Sequence, residues 1–233
     1  MTGIIVLCRY NSSRLYGKIL KKINDKEIIQ YIFERLDAIK DKYPIVVCTS
    51  IEDTDNPIVA FCKKNGINYF RGSLDNVASR FLNCATENNY QNAVRINGDN
   101  LFLDSKIIED MINVIEKNDV KFVSNVKNRT FPKGMSVEIV DVDFYRKQIS
   151  NFSDEDLEHV MTYFYSLDEK HTHYVYNESK YPEKINLAID TPEDFDNARK
   201  IIKIMKKDHT AYDYKDIIKL FYKLINNEKQ LER

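Results

Sequence analysis

The run Gly3-Ile4-Ile5-Val6-Leu7-Cys8-Arg9 sets the architecture of this chain. It is apolar without alternation, which is typical of a strand that is covered on both faces of a sheet. A segment of helical period follows it, and the chain then returns to a second apolar run at Pro44 to Thr49. Strand, helix and strand in this order form a βαβ unit, so the first fifty residues predict two parallel strands.

Short β-branched runs alternate with helical segments up to Ser124, and this alternation predicts an α/β layer fold with a mostly parallel sheet. Further strands are predicted at 67–71, 93–97, 121–124, 136–140 and around 174–176. Helices are predicted at 56–65, at 75–88 with Ser73 as cap, after Asp104, from Ser153 to Leu167, from Thr191-Pro192, and at 217–224.

The composition excludes several classes of protein. Among 233 residues, 35 Lys and Arg face 36 Asp and Glu, which gives a net charge of −1. No overall field would attract nucleic acid or an anionic membrane, so we expect neither as a partner. No apolar run approaches the roughly 20 residues that cross a bilayer and no leader segment is recognisable, so we expect a cytoplasmic protein. The four cysteines are widely spaced and predict buried free thiols.

Two loops carry groups that bind phosphate or metal, and both follow a predicted strand, where ligands of such sheets bind. The loop from Arg9 to Lys18 combines three fixed cations, two serines and a glycine, which suits a polyphosphate. After the fourth strand, Gly98 permits close backbone approach and Asp99 is a candidate magnesium ligand. Taken alone, the two loops could also be a solvated basic segment and a turn aspartate.

Neither G-x-G-x-x-G nor G-x-x-x-x-G-K-[ST] occurs, which argues against a dehydrogenase and a P-loop NTPase. The loop from Arg9 to Lys18, R-x-x-S-S-R-L-x-G-K, instead resembles the R-x-x-S-x-R-L-P-G-K signature of the CTP-dependent cytidylyltransferases. That group includes 3-deoxy-manno-octulosonate and acylneuraminate cytidylyltransferases and the SpsF-type spore-coat proteins, of which the SpsF type is most similar. Other family motifs follow in order over roughly Gly3 to Ile204: Phe70-Arg71-Gly72-Ser73 with Asp75 and Arg80; Arg95-Ile96-Asn97-Gly98-Asp99 with Leu101 and Asp104; Pro132-x-Gly134-x-x-Val137-Glu138; Glu158-His159-Val160; and Asp190-Thr191-Pro192-Glu193-Asp194.

The resemblance implies one domain at 1–226 with a Rossmann-like, three-layer α/β/α nucleotidyltransferase fold of the GT-A-like type, followed by a tail at 227–233. Within it we expect a CTP-binding half at about 1–124, an acceptor and dimerisation subregion at about 125–190, and C-terminal helices at 191–226. The implied reaction is Mg²⁺-dependent transfer of CMP from CTP to a sugar acid, a sugar phosphate or a small phosphorylated acceptor. Pyrophosphate would be released, and the implied setting is surface polysaccharide or capsule assembly by a homodimer.

The resemblance also implies roles for individual residues. A catalytic set would comprise Arg9, Arg14, Lys18, Asp99 and Asp190, with Mg²⁺ held by the two aspartates. Nucleotide contacts would come from Arg9, Ser12, Ser13, Arg14, Lys18, Arg71, Asp75, Arg80, Arg95 and Gly98. Acceptor contacts would come from Lys133, Glu138, Glu158 and His159.

Two positions depart from the family pattern, since Tyr16 replaces a proline and Ser136 replaces a common aspartate. Two alternatives stay open, and these departures support only the second. One is a nucleotide-sugar glycosyltransferase of the GT-A type, whose D-x-D metal motif would be Asp141-x-Asp143. The other is a non-catalytic, CTP-binding homologue.

Overall fold

A computed structural model describes residues 1–167, 169–175 and 185–231. Its centre is a seven-stranded sheet in the order β5-β4-β1-β6-β8-β7-β9. The strands are β1 (Thr2–Leu7), β4 (Ile45–Ser50), β5 (Tyr69–Gly72), β6 (Asn92–Asn97), β7 (Phe122–Ser124), β8 (Glu138–Asp141) and β9 (Thr172–Tyr174), and a separate hairpin joins β2 (Lys22–Ile23) to β3 (Lys26–Glu27).

Helices cover both faces of the sheet, which confirms the predicted three-layer α/β/α fold. Ile4 and Val6 point into one hydrophobic cluster, while their neighbours Ile5 and Leu7 point into the other. Because every one of these side chains is buried, the uninterrupted apolar run is explained. The helices are α1 (Ile28–Leu36), α2 (Asn56–Asn65), α3 (Val77–Glu87), α4 (Ser105–Lys117), α5 (Val142–Gln148), α6 (Asp154–His159), α7 (Pro192–Ile204) and α8 (Tyr214–Leu231).

The strand order places a crevice at the end of β1. From β1 the chain winds through β4 to β5, and it then crosses back to add β6 on the other side of β1. All four of these strands are parallel, whereas β8 runs antiparallel to both β6 and β7. A reversal of winding direction between β1 and β6 leaves the space beyond their carboxyl ends open for a ligand.

Most predicted elements are confirmed, and the differences have local causes. Asn76 caps α3 instead of Ser73, which accepts a hydrogen bond from the Asn76 backbone N–H one turn earlier. The helix predicted from Ser153 ends at His159, because Val160 adopts a φ of 68° that no α-helix continues. The ninth strand lies slightly earlier than predicted, and Tyr176 is outside the described residues. Helix α8 runs to Leu231, past the predicted start of the tail at 227.

All four cysteines are buried and free, as the sequence predicts. Within the described ranges, no helix has both the length and the apolar character to cross a bilayer.

Candidate active site

The loop after β1 folds around the backbone of Tyr10. The Tyr10 carbonyl accepts hydrogen bonds from the backbone N–H groups of Ser12 and Gly17, both at 2.9 Å. Gly17 has a φ of 64°, and a Cβ at this position would lie 2.9 Å from the Tyr10 ring. Glycine is therefore required here. The turn returns Lys18 to the end of the sheet, where its ammonium group reaches the Asp99 carboxylate.

A buried carboxylate, Asp55, anchors the start of this loop. Its Oδ1 accepts a hydrogen bond from the Tyr10 backbone N–H at 2.7 Å. Its Oδ2 accepts hydrogen bonds from the Thr49 hydroxyl at 2.8 Å and the Ser50 backbone N–H at 2.9 Å. Burial by itself would raise the pKa of Asp55, but these hydrogen bonds outweigh burial and hold that pKa below its ordinary value. Sequence analysis missed this residue, because Asp53-Thr54-Asp55-Asn56-Pro57 reads only as a helix start.

Gly98 closes the gap between the ends of β1 and β6. Its backbone N–H donates to the Leu7 carbonyl at 2.8 Å, and a Cβ on Gly98 would lie 2.7 Å from the Cys8 Cβ. Only a glycine lets the two strand ends meet this closely. The next residue, Asp99, consequently faces the loop from Arg9 to Lys18 across the crevice. We call this segment the basic loop.

Asp99 and Asp190, which lie far apart in sequence, meet at the ammonium group of Lys18. Its Nζ lies 3.2 Å from Asp99 Oδ2 and 3.1 Å from Asp190 Oδ1. Asp190 also receives Arg14 on Oδ1 at 3.0 Å and Lys133 on Oδ2 at 2.8 Å. The structure thus brings together three cations and two carboxylates, an arrangement with a net charge of +1 that attracts anions.

The backbone around Asp190 is held from both sides. The Ile189 backbone N–H donates to the Asp99 carbonyl at 3.1 Å. On the other side, Thr191 and Asp194 form a capping box at the start of α7. The Asp190 carboxylate therefore lines the cavity immediately before a capping turn.

Burial by itself would raise the pKa of Asp190, because a charged carboxylate loses solvent. The hydrogen bonds and charges of Lys133 and Lys18 outweigh burial and hold this pKa below its ordinary value. Asp190 is consequently ionised at neutral pH.

The donor set at this point fits a magnesium ion that is shared with a nucleotide. Two aspartate oxygens already converge on one cation, Lys18. In the part of the chain that is described, no group of three or more His, Cys, Asp or Glu residues could hold a metal ion. Mg²⁺ commonly takes one or two carboxylates and completes its shell with substrate phosphates and water, which matches a site of two aspartates.

A cavity of about 340 Å³ opens beside this cluster. Its volume is within the range of small-molecule sites. Twelve of the residues predicted from the sequence line it: Arg9, Ser12, Ser13, Arg14, Lys18, Arg80, Arg95, Gly98, Asp99, Glu158, His159 and Asp190. Glu158 and His159 are at the end of α6, and both are exposed.

Two residues predicted to contact the nucleotide lie outside the cavity lining. Arg71 donates to the backbone carbonyls of Ser50 and Glu52 and to the Asn56 side chain, each at 2.8–2.9 Å. Its guanidinium therefore fastens the loop between β4 and α2 instead of facing the crevice. Asp75 is exposed before α3.

Two of the predicted acceptor residues, Lys133 and Glu138, form ion pairs with other side chains of the protein. Lys133 reaches Asp190 from the segment before Gly134, whose φ of 95° and close approach to Ala188 require glycine. Glu138 is buried and forms an ion pair with Arg95, its neighbour across the β6–β8 ladder.

The alternative metal motif, Asp141-x-Asp143, lies at the opposite end of β6 from the crevice. Asp141 pairs in register with Asn92, the first residue of β6, and caps helix α5. Both Asp141 and Asp143 line a separate depression of about 710 Å³ that contains none of the family motifs. The structure therefore gives no support to a glycosyltransferase. The two departures from the family pattern leave the site intact, since Tyr16 is exposed and Ser136 engages Asn100 through its backbone carbonyl.

Comparison with known proteins is decisive for the family. A family model described as Cytidylyltransferase matches residues 3–231. The chain belongs to the cytidylyltransferase family. Members of this family are CTP-dependent nucleotidyltransferases, so the predicted enzyme class is confirmed.

Similar proteins align with between half and nearly all of this cytidylyltransferase. The spore coat polysaccharide biosynthesis protein SpsF of Bacillus subtilis is 27% identical over 208 residues, which cover 84% of this chain and 83% of SpsF. An 8-amino-3,8-dideoxy-manno-octulosonate cytidylyltransferase of Shewanella pealeana is 30% identical over 124 residues, 51% of this chain and 49% of that protein. The solved structure of a cytidylyltransferase from Leptospira borgpetersenii has a TM-score of 0.89 at 31% identity, covering 97% of this chain and 95% of that one.

Proposed function

We propose that this cytidylyltransferase transfers CMP from CTP to a small acceptor, either a sugar acid or a phosphorylated compound. The observation that carries the proposal is the meeting of Lys18, Asp99 and Asp190 beyond the ends of β1 and β6, next to the basic loop. In the proposed reaction an acceptor oxygen forms a bond to the α-phosphorus of CTP. The bond from that phosphorus to the oxygen bridging the α and β phosphates breaks, and pyrophosphate departs with its electron pair.

The basic loop accounts for the departing group. Arg9, Arg14 and Lys18 line the cavity and match the negative charge that builds up on pyrophosphate as it leaves. Ser12 and Ser13 of the same loop also line the cavity and can donate hydrogen bonds to phosphate oxygens. This loop is held before CTP arrives, because Asp55 and Gly17 fix its two ends. Little ordering cost then remains for the nucleotide.

Asp99 and Asp190 are the residues that would hold Mg²⁺ together with the phosphates. A bound Mg²⁺ would supply charge neutralisation at the reacting phosphate. Lys18 spans the same two carboxylates. We therefore propose that Lys18 turns toward the phosphates when the nucleotide and the metal bind.

The wider role follows from the relatives. SpsF is named for spore coat polysaccharide biosynthesis, which supports a role in the assembly of a surface polysaccharide or capsule. A homodimer in the cytoplasm stays a prediction. Light scattering at micromolar concentration should give twice the mass of the 27.5 kDa chain, and a monomer mass would refute the dimer.

The test is release of pyrophosphate with Mg²⁺ and each of the four ribonucleoside triphosphates. Pooled sugar acids, sugar phosphates and small phosphorylated metabolites serve as acceptors. We expect release with CTP and with one acceptor class only. Arg14→Met should lower turnover by about 10²- to 10³-fold, which corresponds to the loss of one donor at a developing charge.

Arg199→Met is the matched control, since Arg199 is an exposed arginine on α7 that pairs with Asp196 one turn away. Its activity should equal that of the unmodified enzyme. CTP that fails to bind in the presence of Mg²⁺ would contradict the proposal and favour the non-catalytic alternative. Release of free CMP from a nucleotide sugar would favour the glycosyltransferase.

A further inference from the structure

The part of the active-site cavity that α3 and β6 form, which we call the arginine wall, contains Arg80 and Arg95, two arginines outside the loop from Arg9 to Lys18. Both side chains line the cavity. Both have a buried Nε atom without a hydrogen-bond partner in the protein. A guanidinium that is buried with unsatisfied donors is costly, so each arginine requires an explanation.

Arg80 carries an uncompensated charge. The residue is only 3% exposed, and its NH1 group donates to the Ser73 carbonyl at 2.6 Å. Among the described residues no carboxylate forms an ion pair with it. Burial of a charge without a partner is strongly unfavourable unless a ligand supplies the opposite charge.

Arg95 is held in place by a chain of buried groups. Glu138, only 3% exposed, pairs with Arg95 through one carboxylate oxygen and accepts a hydrogen bond from the Tyr165 hydroxyl at 2.7 Å through the other. The single hydroxyl proton of Tyr165 is thereby used, so Ser124 donates to the Tyr165 oxygen at 2.6 Å. Burial and the charge of Glu138 raise the pKa of Tyr165, which keeps this hydroxyl protonated.

The charges of the two arginines are not balanced equally. Glu138 offsets the charge of Arg95, whereas no carboxylate among the described residues forms an ion pair with Arg80. The exposed Glu158 also lines the cavity but makes no ion pair with Arg80 in the described part of the chain. The ribose and cytosine of CTP are neutral, and in the proposed function the triphosphate is bound by Arg9, Arg14 and Lys18 of the loop after β1. A second positive site therefore calls for a second anion in the same cavity.

We propose that Arg80 and Arg95 bind the anionic group, a carboxylate or a phosphate, of the acceptor, with Glu138 and Tyr165 as positioning residues. This inference rests on the proposed transfer of CMP and names the residues that select the acceptor. Arg80 and Arg95 are then acceptor residues instead of the nucleotide contacts predicted from the sequence. Glu138 acts through Arg95 and does not touch the acceptor.

The test compares binding of CTP with binding of anionic probes. Arg80→Met removes one guanidinium, and the double variant Arg95→Met, Glu138→Gln removes a buried pair without leaving an unpaired charge. Arg199→Met again serves as the surface control. Calorimetry measures CTP, and then N-acetylneuraminate, 3-deoxy-manno-octulosonate and glucose 1-phosphate, each with and without a non-hydrolysable CTP analogue. Neutral N-acetylmannosamine and glucose are the matched probes without a charge.

We expect at least one anionic probe to bind the unmodified protein and the neutral probes to fail. Both variants should lower the affinity for that anion on the order of 10- to 100-fold, which is the effect of losing a charged hydrogen bond. Their affinity for CTP should stay within about twofold of that of the unmodified protein. Comparing the carboxylate and phosphate probes identifies which anion the site takes. Arg80→Met should leave the melting temperature nearly unchanged, because removal of an unpaired buried charge offsets the lost hydrogen bond to the Ser73 carbonyl.

A tenfold loss of CTP affinity in either variant would overturn the assignment and return these arginines to the nucleotide. Equal binding of charged and neutral probes, or no binding of any anionic probe, would also overturn it. Failure of the proposed function is seen separately, since the unmodified protein would then neither bind CTP nor release pyrophosphate.

Tyr165→Phe tests the positioning role. It removes one hydrogen bond to Glu138 while the charge of the wall is unchanged. We expect the acceptor KM to rise severalfold with the CTP KM unchanged. A purely structural role would instead change both constants, or neither.

Discussion

Replacement of Asp55 by asparagine should uncouple the basic loop from the sheet. The Asp55 carboxylate accepts three hydrogen bonds, from the Tyr10 and Ser50 backbone N–H groups and from the Thr49 hydroxyl. An asparagine of the same shape has one oxygen, so its NH₂ group must face at least one of these donors. The best arrangement keeps Thr49 and Ser50 satisfied and leaves the Tyr10 N–H without an acceptor.

The size of the expected loss in free energy of unfolding follows from that one contact. Loss of a hydrogen bond to a charged group costs about 1.5–3 kcal/mol, and the remaining bonds lose their charge assistance. We therefore expect Asp55→Asn to lower the free energy of unfolding by about 2–3 kcal/mol. For a chain of this size that corresponds to a fall in melting temperature of roughly 4–12 °C. Because Tyr10 begins the loop that lines the cavity, CTP affinity should fall roughly tenfold as well.

The assays are urea denaturation and calorimetric titration with CTP and Mg²⁺. Asp53→Asn is the control, since Asp53 is exposed in the same turn and bonds only to the Asn56 side chain nearby. It should change the free energy of unfolding by less than about 0.5 kcal/mol. If Asp55→Asn behaves like this control in both assays, the argument that Asp55 organises the basic loop is wrong.

Four further outcomes are expected. Lys18→Met should reduce pyrophosphate release by about 10²-fold or more, and Lys18→Arg should not restore it, because a planar guanidinium cannot occupy the position of a point charge; steady-state kinetics measures both. Gly98→Ala should lower the free energy of unfolding by about 1–3 kcal/mol, because the added Cβ overpacks the site. Gly66→Ala has no atom within 4 Å of the added Cβ, so it should lose only the free energy that corresponds to the strain of its φ of 66°. Urea denaturation midpoints measure both variants, and equal losses would contradict the close approach at Gly98. Asp190 has a pKa below its ordinary value of 3.8 in the folded state, so the stability it contributes is present above about pH 4 and is lost as the pH falls through the folded value; Asp190→Asn should flatten this part of the pH–stability curve, and an unchanged curve would contradict the pKa direction. Burial raises the pKa of Cys62 to about 11, so its thiol should react with a disulfide reagent at pH 8 only after denaturation, and rapid labelling of the folded protein would contradict its burial.

The sequence predicted one half of the site better than the other. Residues of the basic loop and Asp99 reach one crevice, because they follow parallel strands whose carboxyl ends meet there. Asp190 reaches the same crevice from the segment just before α7. Arg71 and Glu138 belong to equally good motifs, yet Arg71 fastens a loop and Glu138 pairs with Arg95 inside the sheet. A motif predicts which residues are near a site but not which of them face the ligand.

Asp55 and Tyr165 carried no signal that sequence reasoning could use. Asp55 reads as part of a helix start, and Tyr165 reads as one aromatic residue in a helix that the structure interrupts at Val160. Their partners, Tyr10 and Glu138, lie 45 and 27 residues away along the chain. Such contacts depend on how elements pack against each other, which local patterns do not encode.

Elements of the fold follow from properties that neighbouring residues carry together: apolar period, capping residues and glycines. The strand Thr2–Leu7, the capped helix Pro192–Ile204 and the turn at Gly66 were all predictable for this reason. The charge pairs around the cavity, in contrast, join residues that are far apart along the chain. Lys18 spans Asp99 and Asp190 across 81 and 172 positions of the chain, and Arg95 finds Glu138 only because β8 runs antiparallel to β6. These pairings come from how strands and loops pack in three dimensions, because packing decides which opposite charges are brought together where water is excluded.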